Sequence, residues 1–111
     1  MKNLDINVLL DVYGSLLTEL QRGTLELYYG DDLSLSEISD EQGNSRQAVM
    51  NCIRKSERKL FEFEEKLGLI QKFRELSEDI DELEKLILSA GESEKTETAI
   101  MDVIAEIRSK L

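Results

Sequence analysis

The stretch LSLSEISDEQGNSRQAVMNCIRKSERKL, residues 33–60, decides the fold of this chain. Ser34 followed three residues later by Glu37 is a capping-box pattern, which predicts the start of a short helix. Gly43 and Asn44 tolerate a left-handed backbone, so they predict the tight turn that ends it. A longer helix with a polar first turn follows. A short helix, a glycine-containing turn and a longer helix in this order predict a helix-turn-helix unit.

The second helix of this unit, predicted over residues 46–67, has two chemically different faces. Val49 and Ile53 share one side of the helical wheel, where they would pin the helix onto the preceding one. The opposite side is polar and basic. Arg and Gln side chains read guanine and adenine edges in the major groove, and Lys and Arg bind phosphates. The predicted nucleic-acid-binding residues are Ser45, Arg46, Gln47, Asn51, Arg54, Lys55, Arg58 and Lys59.

Charge is distributed unevenly along the 111 residues, whose net charge is −10. Residues 45–60 carry five basic side chains and one acidic side chain, whereas the segments before and after each have a charge of −7. Such acidic flanks would repel a duplex within a Debye length of about 8 Å at physiological salt. The alternative role of the basic residues is surface pairing with Glu57 and Glu62. The sequence leaves these two roles open.

The composition argues against an enzyme. The chain has no His, so the usual general base and the Ser-His and Cys-His nucleophile pairs are missing. Zinc sites built from His and Cys clusters are excluded as well. The acidic run SEDIDELE at 77–84 fits a solvated helix face better than a cation site, and Cys52 fits a small buried side chain. We predict no catalytic residue, no metal ligand and no cofactor.

Three features that the sequence lacks indicate the cellular compartment in which the protein is expected. The chain has no run of about 18 apolar residues, so we expect no membrane-spanning helix. The segment MKNLDINVLL, residues 1–10, lacks the apolar block of a signal peptide. The one cysteine cannot form an internal disulfide, which is typical of a reducing compartment. We therefore expect a cytoplasmic protein that does not insert into membranes.

The segments around the central unit also predict helices. The chain has no Pro, and apolar residues recur at a helical spacing over residues 5–17, 18–29, 69–88 and 97–111. Asp5, Thr18 and Ser45 are expected to cap helices, and Gly30 is expected to end one in a left-handed conformation. The polar segment Ser89–Thr96 is expected to be a loop. No segment predicts a strand. The predicted class is all-α, with a three-helix core like that of a winged helix but without a sheet.

The C-terminal helices carry apolar stripes. Leu69, Phe73, Leu76, Ile80, Leu83 and Ile87 alternate steps of four and three, which is an a/d heptad pattern. The last helix has a second stripe, formed by Ile100, Ile104, Ile107 and Leu111. The first stripe predicts a homodimer, the alternative being packing onto the protein's own domain. We divide the chain into a helix-turn-helix domain at 1–68 and an acidic helical hairpin at 69–111.

Three segments resemble known proteins. The central unit, together with LTELQRGTLELYYGDDLSLSEIS at 17–39, resembles region 4 of bacterial sigma factors. The chain is still more similar to the YlxM family of small helix-turn-helix proteins, encoded beside the signal recognition particle genes. The residues that carry this resemblance are LLDVYGSLLTELQRGTLELYY at 9–29, SLSEISDEQGNSRQAV at 34–49 and IRKSERKLFEFEEKLGL at 53–69.

The resemblance implies a helix-turn-helix fold with trailing helices and a regulatory role in the signal recognition particle pathway. It supplies no DNA-contact residues, so those named above rest on the general helix-turn-helix pattern. Two functions stay open at this point. The protein is a regulator that binds DNA, or it is an interaction module that contacts the signal recognition particle GTPase or its RNA. Fold alone does not decide between them.

Overall fold

The computed structural model describes residues 5–91 and 93–111. Residues 1–4, which belong to the N-terminal segment considered above, and Glu92, within the predicted loop, lie outside the described residues. Over the described ranges the chain is all-α, with helices and no strand, as predicted. The helices are α1 (Ile6–Tyr13), α2 (Glu19–Leu25), α3 (Leu35–Gln42), α4 (Arg46–Leu67), α5 (Leu69–Ser89) and α6 (Glu94–Ser109).

The predicted caps are confirmed. The Asp5 side chain accepts a hydrogen bond from the Asn7 N–H and begins α1. Thr18 with Gln21, and Ser34 with Glu37, form reciprocal capping boxes at α2 and α3. Hydrogen bonds from the Ser34 backbone N–H and side chain lower the pKa of the Glu37 carboxyl. These short-range bonds fix where each helix begins.

The N-terminal segments differ from the prediction in two places. α1 ends at Tyr13, and Gly14–Leu16 form a 3₁₀ turn, because glycine is a weak helix former and Thr18 already caps the next helix. α2 continues into a π-helical segment, Glu26–Gly30. The left-handed conformation predicted for Gly30 is wrong. Asp32 adopts it instead, with φ 58°, since a short polar side chain tolerates that region.

The core of the N-terminal unit forms around α4, which packs against α1, α2 and α3. Val49, Ile53 and Leu60 are buried on one side of α4, as the helical wheel predicts. The other helices supply buried side chains to the same core, namely Leu9, Tyr13, Leu25 and Ile38. This packing leaves the opposite side of α4 facing solvent.

The chain divides into two compact units, one ending at Leu69 and one running Ile70–Leu111. In the second unit α5 and α6 form a hairpin whose buried core is Ile80, Ile87 and Ile104. α6 begins at Glu94 rather than at Glu97, because the Ser93 side chain caps it by accepting from the Thr96 N–H. The predicted loop over residues 89–96 is therefore too long.

Candidate nucleic-acid interface

Hydrogen bonds from Gly43 and from Gln42 stabilise the turn between α3 and α4. Gly43 ends α3 with φ 70°, and its N–H donates to the Ser39 carbonyl. The buried Thr24 hydroxyl accepts a 2.9 Å hydrogen bond from Gln42 Nε2 and donates to the Leu20 carbonyl at 2.7 Å. Because Gln42 is the last residue of α3, this chain of bonds ties the turn to α2. This contact stabilises the turn, and with it the start of α4, from a helix that lies outside the helix-turn-helix unit.

Ser45 begins α4. Its Oγ accepts a 3.0 Å hydrogen bond from the Ala48 N–H, so the hydroxyl satisfies one of the unpaired donors of the first turn. No acidic residue lies in that first turn. The positive end of the helix dipole is therefore not offset there, which favours an anion.

Substitutions of Ser45 separate its capping role from a binding role. Ser45→Ala is expected to lower the free energy of unfolding by about 1 kcal/mol, because the Ala48 N–H loses its acceptor. Ser45→Asp keeps the acceptor, so its stability should stay near that of the wild type, while its added negative charge should weaken phosphate binding. Urea denaturation followed by circular dichroism measures the first effect. Equal stability of the alanine variant and the wild type would contradict the capping role.

The predicted binding residues all have exposed side chains on the solvent side of α4 or in its first turn. Gln47, Asn51, Arg54 and Arg58 follow steps of four, three and four, which places them in one row along the helix. This row lies opposite the buried side, and the remaining members of the set flank it. We call the exposed set Ser45, Arg46, Gln47, Asn51, Arg54, Lys55, Arg58 and Lys59 the α4 basic face.

The five cations of the α4 basic face take part in no ion pair within residues 5–91 and 93–111. Ion pairs in these ranges join Arg22 to Glu26, Arg108 to Asp81 and Glu84, and Lys110 to Glu106. The pairing with Glu57 and Glu62 that the sequence left open is therefore absent from the structure. The basic side chains keep their full charge available to an external anion.

The two amide side chains of the face contact each other. Gln47 Nε2 donates to Asn51 Oδ1 at 3.2 Å, one helical turn apart and in an exposed position. An exposed bond of this kind exchanges readily with solvent, so either amide is available to a base edge after a change of rotamer. The geometry thus places the amides of Gln47 and Asn51, each of which has both donor and acceptor atoms, side by side on the first two turns of α4.

The sequence did not predict the contribution of Tyr29. Its hydroxyl donates to the carboxylate of Glu57, the one acid among residues 45–60. Burial raises the pKa of Tyr29, and the Glu57 carboxylate raises it further. Tyr29 lies in the π-helical segment, with its ring edge-to-face against Tyr28 at 5.0 Å between centroids. This bond occupies the Glu57 carboxylate, which forms no ion pair with the cations of the α4 basic face.

Two further properties concern the described residues as a whole. Over residues 5–91 and 93–111, no three carboxylate or thiol side chains come together as metal ligands. In the same part of the chain, every helix is too short or too polar to cross a membrane.

Comparison with known proteins places this fold in a family. A family model described as "Putative helix-turn-helix protein, YlxM / p13 like", UPF0122, matches residues 1–107. The chain belongs to the UPF0122 family. The resemblance to YlxM proteins stated above is thereby confirmed.

Relatives in this family are similar over most of their length. A UPF0122 protein of Shouchella clausii is 51% identical over 88 residues, covering 79% of this chain and 81% of that protein. One from Halalkalibacterium halodurans is 47% identical over 94 residues, covering 85% and 86%. One from Desulforamulus reducens is 49% identical over 82 residues, covering 74% and 70%. Their names state the family and no ligand.

Proposed function

We propose that this UPF0122 protein is a non-enzymatic regulator that binds double-stranded DNA through α4. The observation that carries the proposal is the α4 basic face, whose five cations lack intramolecular partners within the described residues. The first turns of α4 would enter the major groove, where Arg46 and Gln47 would meet base edges. The later cations, Arg54, Lys55, Arg58 and Lys59, would contact phosphates on the groove walls.

The electrostatics of α4 support this orientation. The uncompensated helix N-terminus and Arg46 are at one end of the face, and the cations continue to Lys59. The only acid in this span, Glu57, accepts a hydrogen bond from Tyr29 and pairs with none of these cations. Binding through this face requires the acidic flanks to lie away from the duplex, since they would repel its phosphates. Affinity should nevertheless be modest, since the net charge is −10.

A titration of the purified full-length protein with duplex DNA tests this function. Fluorescence anisotropy at two salt concentrations would compare a random duplex with the promoter region of the protein's own operon. Lys55→Ala should weaken binding to both duplexes and lower the slope of log K against log salt by about 1. Arg46→Ala should cost about 1–3 kcal/mol of binding to the preferred duplex alone, because a base contact carries sequence preference.

Lys110→Ala is the matched control, because it removes a cation from an exposed position in the C-terminal part of the chain. Its affinity and salt slope should equal those of the wild type. If Arg46→Ala and Lys55→Ala bind DNA as the wild type does, the duplex does not meet the α4 basic face.

A second candidate function is supported by the acidic C-terminal half. Residues 61–111 carry fourteen acids and seven bases, and acidic helix surfaces attract basic partners. In this alternative the protein is an interaction module of the signal recognition particle pathway. Its acidic helices would contact a basic surface of the particle's GTPase, or its α4 basic face would contact the particle's RNA. The same titration with the purified RNA and GTPase decides between the two. Saturable binding to either component, with no binding to duplex DNA, favours the alternative.

We also propose that the regulator is a homodimer. A two-fold dimer would present two α4 helices to half-sites about 34 Å apart, one turn of the duplex. Dimerisation would also double the number of cations that face one DNA molecule, which raises affinity without any new contact type.

A further inference from the structure

The hairpin of α5 and α6 has an open apolar groove on one side. The groove has a volume of about 570 Å³. Three large apolar side chains along it are substantially exposed, with Leu83 at 46%, Val103 at 56% and Ile107 at 44%. We define the hairpin groove by the residues that line it, which are Leu83, Lys95, Thr96, Ala99, Ile100, Val103, Ile104 and Ile107.

The groove remains open because two helices cannot enclose a core. Ile80 and Ile87 of the predicted stripe already pack against Ile104 inside the hairpin. Leu83 lies between them in sequence but points into the groove, where it has no apolar cover. Helices of this kind are usually covered by a second pair, which makes a four-helix bundle. The exposed face thus has the form of half of such a bundle.

We propose that the occupant of the hairpin groove is the same groove of a second copy, with the two hairpins antiparallel. This inference rests on the dimer proposed above and names its surface. Ile80 and Ile87 contribute indirectly, by holding α5 against α6. The side chains that meet across the interface are those of the groove, chiefly Leu83, Val103 and Ile107.

The available area is sufficient for a dimer. α6 has 16 residues and is therefore about 24 Å long. A face formed by two helices about 9 Å apart, each about 10 Å across, is roughly 20 Å wide. Two such faces bury about 1,000 Å², which reaches the lower limit for a specific interface. A single helix face would not reach it.

The charges along the hairpin favour an antiparallel arrangement of the two copies. Lys95 lines the groove at its end near the interhelical loop. The acids Glu78, Asp79 and Glu82 lie around the middle of α5, further from that loop, and the first turns of the helix also carry the bases Lys72 and Arg74. A parallel pair would place these acids of the two copies beside each other, whereas an antiparallel pair brings Lys95 of each copy towards the acids of the other. Arg108 does not relieve the repulsion between copies, because Asp81 and Glu84 already hold it within the hairpin.

Sedimentation velocity on the full chain, with two matched variants, tests whether the hairpin groove is the dimer interface. Val103→Glu and Ala105→Glu each add one negative charge at an exposed position of α6, but only Val103 lines the groove. We expect a wild-type dimer at tens of micromolar, the same dimer for Ala105→Glu, and a dissociation constant raised at least about 30-fold for Val103→Glu. Ile107→Glu is a second groove variant, and circular dichroism checks that all variants keep the wild-type helix content.

The outcomes separate the inference from the proposals on which it rests. A dimer that survives both Val103→Glu and Ile107→Glu overturns the groove as the interface and leaves the homodimer standing. A wild-type monomer at these concentrations overturns both. DNA binding by the α4 basic face is measured independently of either result.

A cysteine variant tests the antiparallel direction. In a chain carrying Cys52→Ser and Ala90→Cys, with the new thiol at an exposed position in the interhelical turn, a parallel pair would place the two introduced thiols side by side, and mild oxidation would join them. In an antiparallel pair they lie at opposite ends and should stay reduced while the dimer persists. Rapid formation of a disulfide-linked dimer would overturn the antiparallel arrangement.

Discussion

Replacing Ile53 with aspartate is expected to unfold the helix-turn-helix unit. Ile53 is 2% exposed on the side of α4 that packs against the other helices of the N-terminal unit. An unpaired carboxylate in such a position costs several kcal/mol, which is a large part of the 5–15 kcal/mol that stabilises an ordinary domain. Circular dichroism should show a strong loss of helix at 25 °C or a melting temperature far below that of the wild type. Val49→Asp is expected to behave in the same way.

Asn51→Asp is the control for this prediction. It introduces the same charge into the same helix, two residues away, but at an exposed position. Surface changes of this kind usually alter stability by no more than about 0.5 kcal/mol. A wild-type melting temperature for both Ile53→Asp and Val49→Asp would mean that the buried side of α4 has been assigned incorrectly.

Replacing Tyr13 with phenylalanine is expected to lower the free energy of unfolding by about 2–3 kcal/mol. The Tyr13 hydroxyl donates to the buried Glu64 carboxylate at 2.5 Å and accepts from the Leu69 N–H at 3.1 Å. It therefore joins α1 to the end of α4 across 51 residues of sequence. The phenylalanine ring keeps the packing against Phe63 but leaves both polar partners short of one hydrogen bond.

Urea denaturation measures this change, and the slope m should stay at the wild-type value since the same surface is buried. Tyr28→Phe is the matched control, because the Tyr28 hydroxyl makes no hydrogen bond within the described residues. It should change stability by no more than about 0.5 kcal/mol. A Tyr13→Phe variant as stable as Tyr28→Phe would show that the hydroxyl contributes little to the fold.

The features that the sequence predicted well depend on neighbouring residues. The capping boxes at Thr18 and Ser34 and the left-handed glycine at 43 involve groups within about one helical turn, so their signals are local. The exposed side of α4 followed from the helical repeat alone. The exposure of the α4 basic face could therefore be predicted residue by residue.

Features that depend on distant residues could not be predicted in this way. The bond from Tyr29 to Glu57 spans 28 residues, and no pattern in either segment indicates it. The apolar repeat of α5 shows which side of the helix is apolar but not what covers it. In the structure that side is shared, because Ile80 and Ile87 face the hairpin core while Leu83 faces the groove. Tertiary packing, not the repeat itself, makes this division.

The length of α4 has a consequence for how deeply it can enter a groove. The helix has 22 residues. The cations of the α4 basic face end at Lys59, the exposed Glu62 and Glu65 follow on the next turns, and Lys66 lies in the last turn. The stretch from Arg46 to Lys59 is about 21 Å long, which is enough to follow a major groove about 12 Å wide from wall to wall. Beyond it the acids would face phosphates. In the proposed complex with DNA, this change of sign along α4 would limit how far the helix enters the groove, because Glu62 and Glu65 would be repelled by the phosphates.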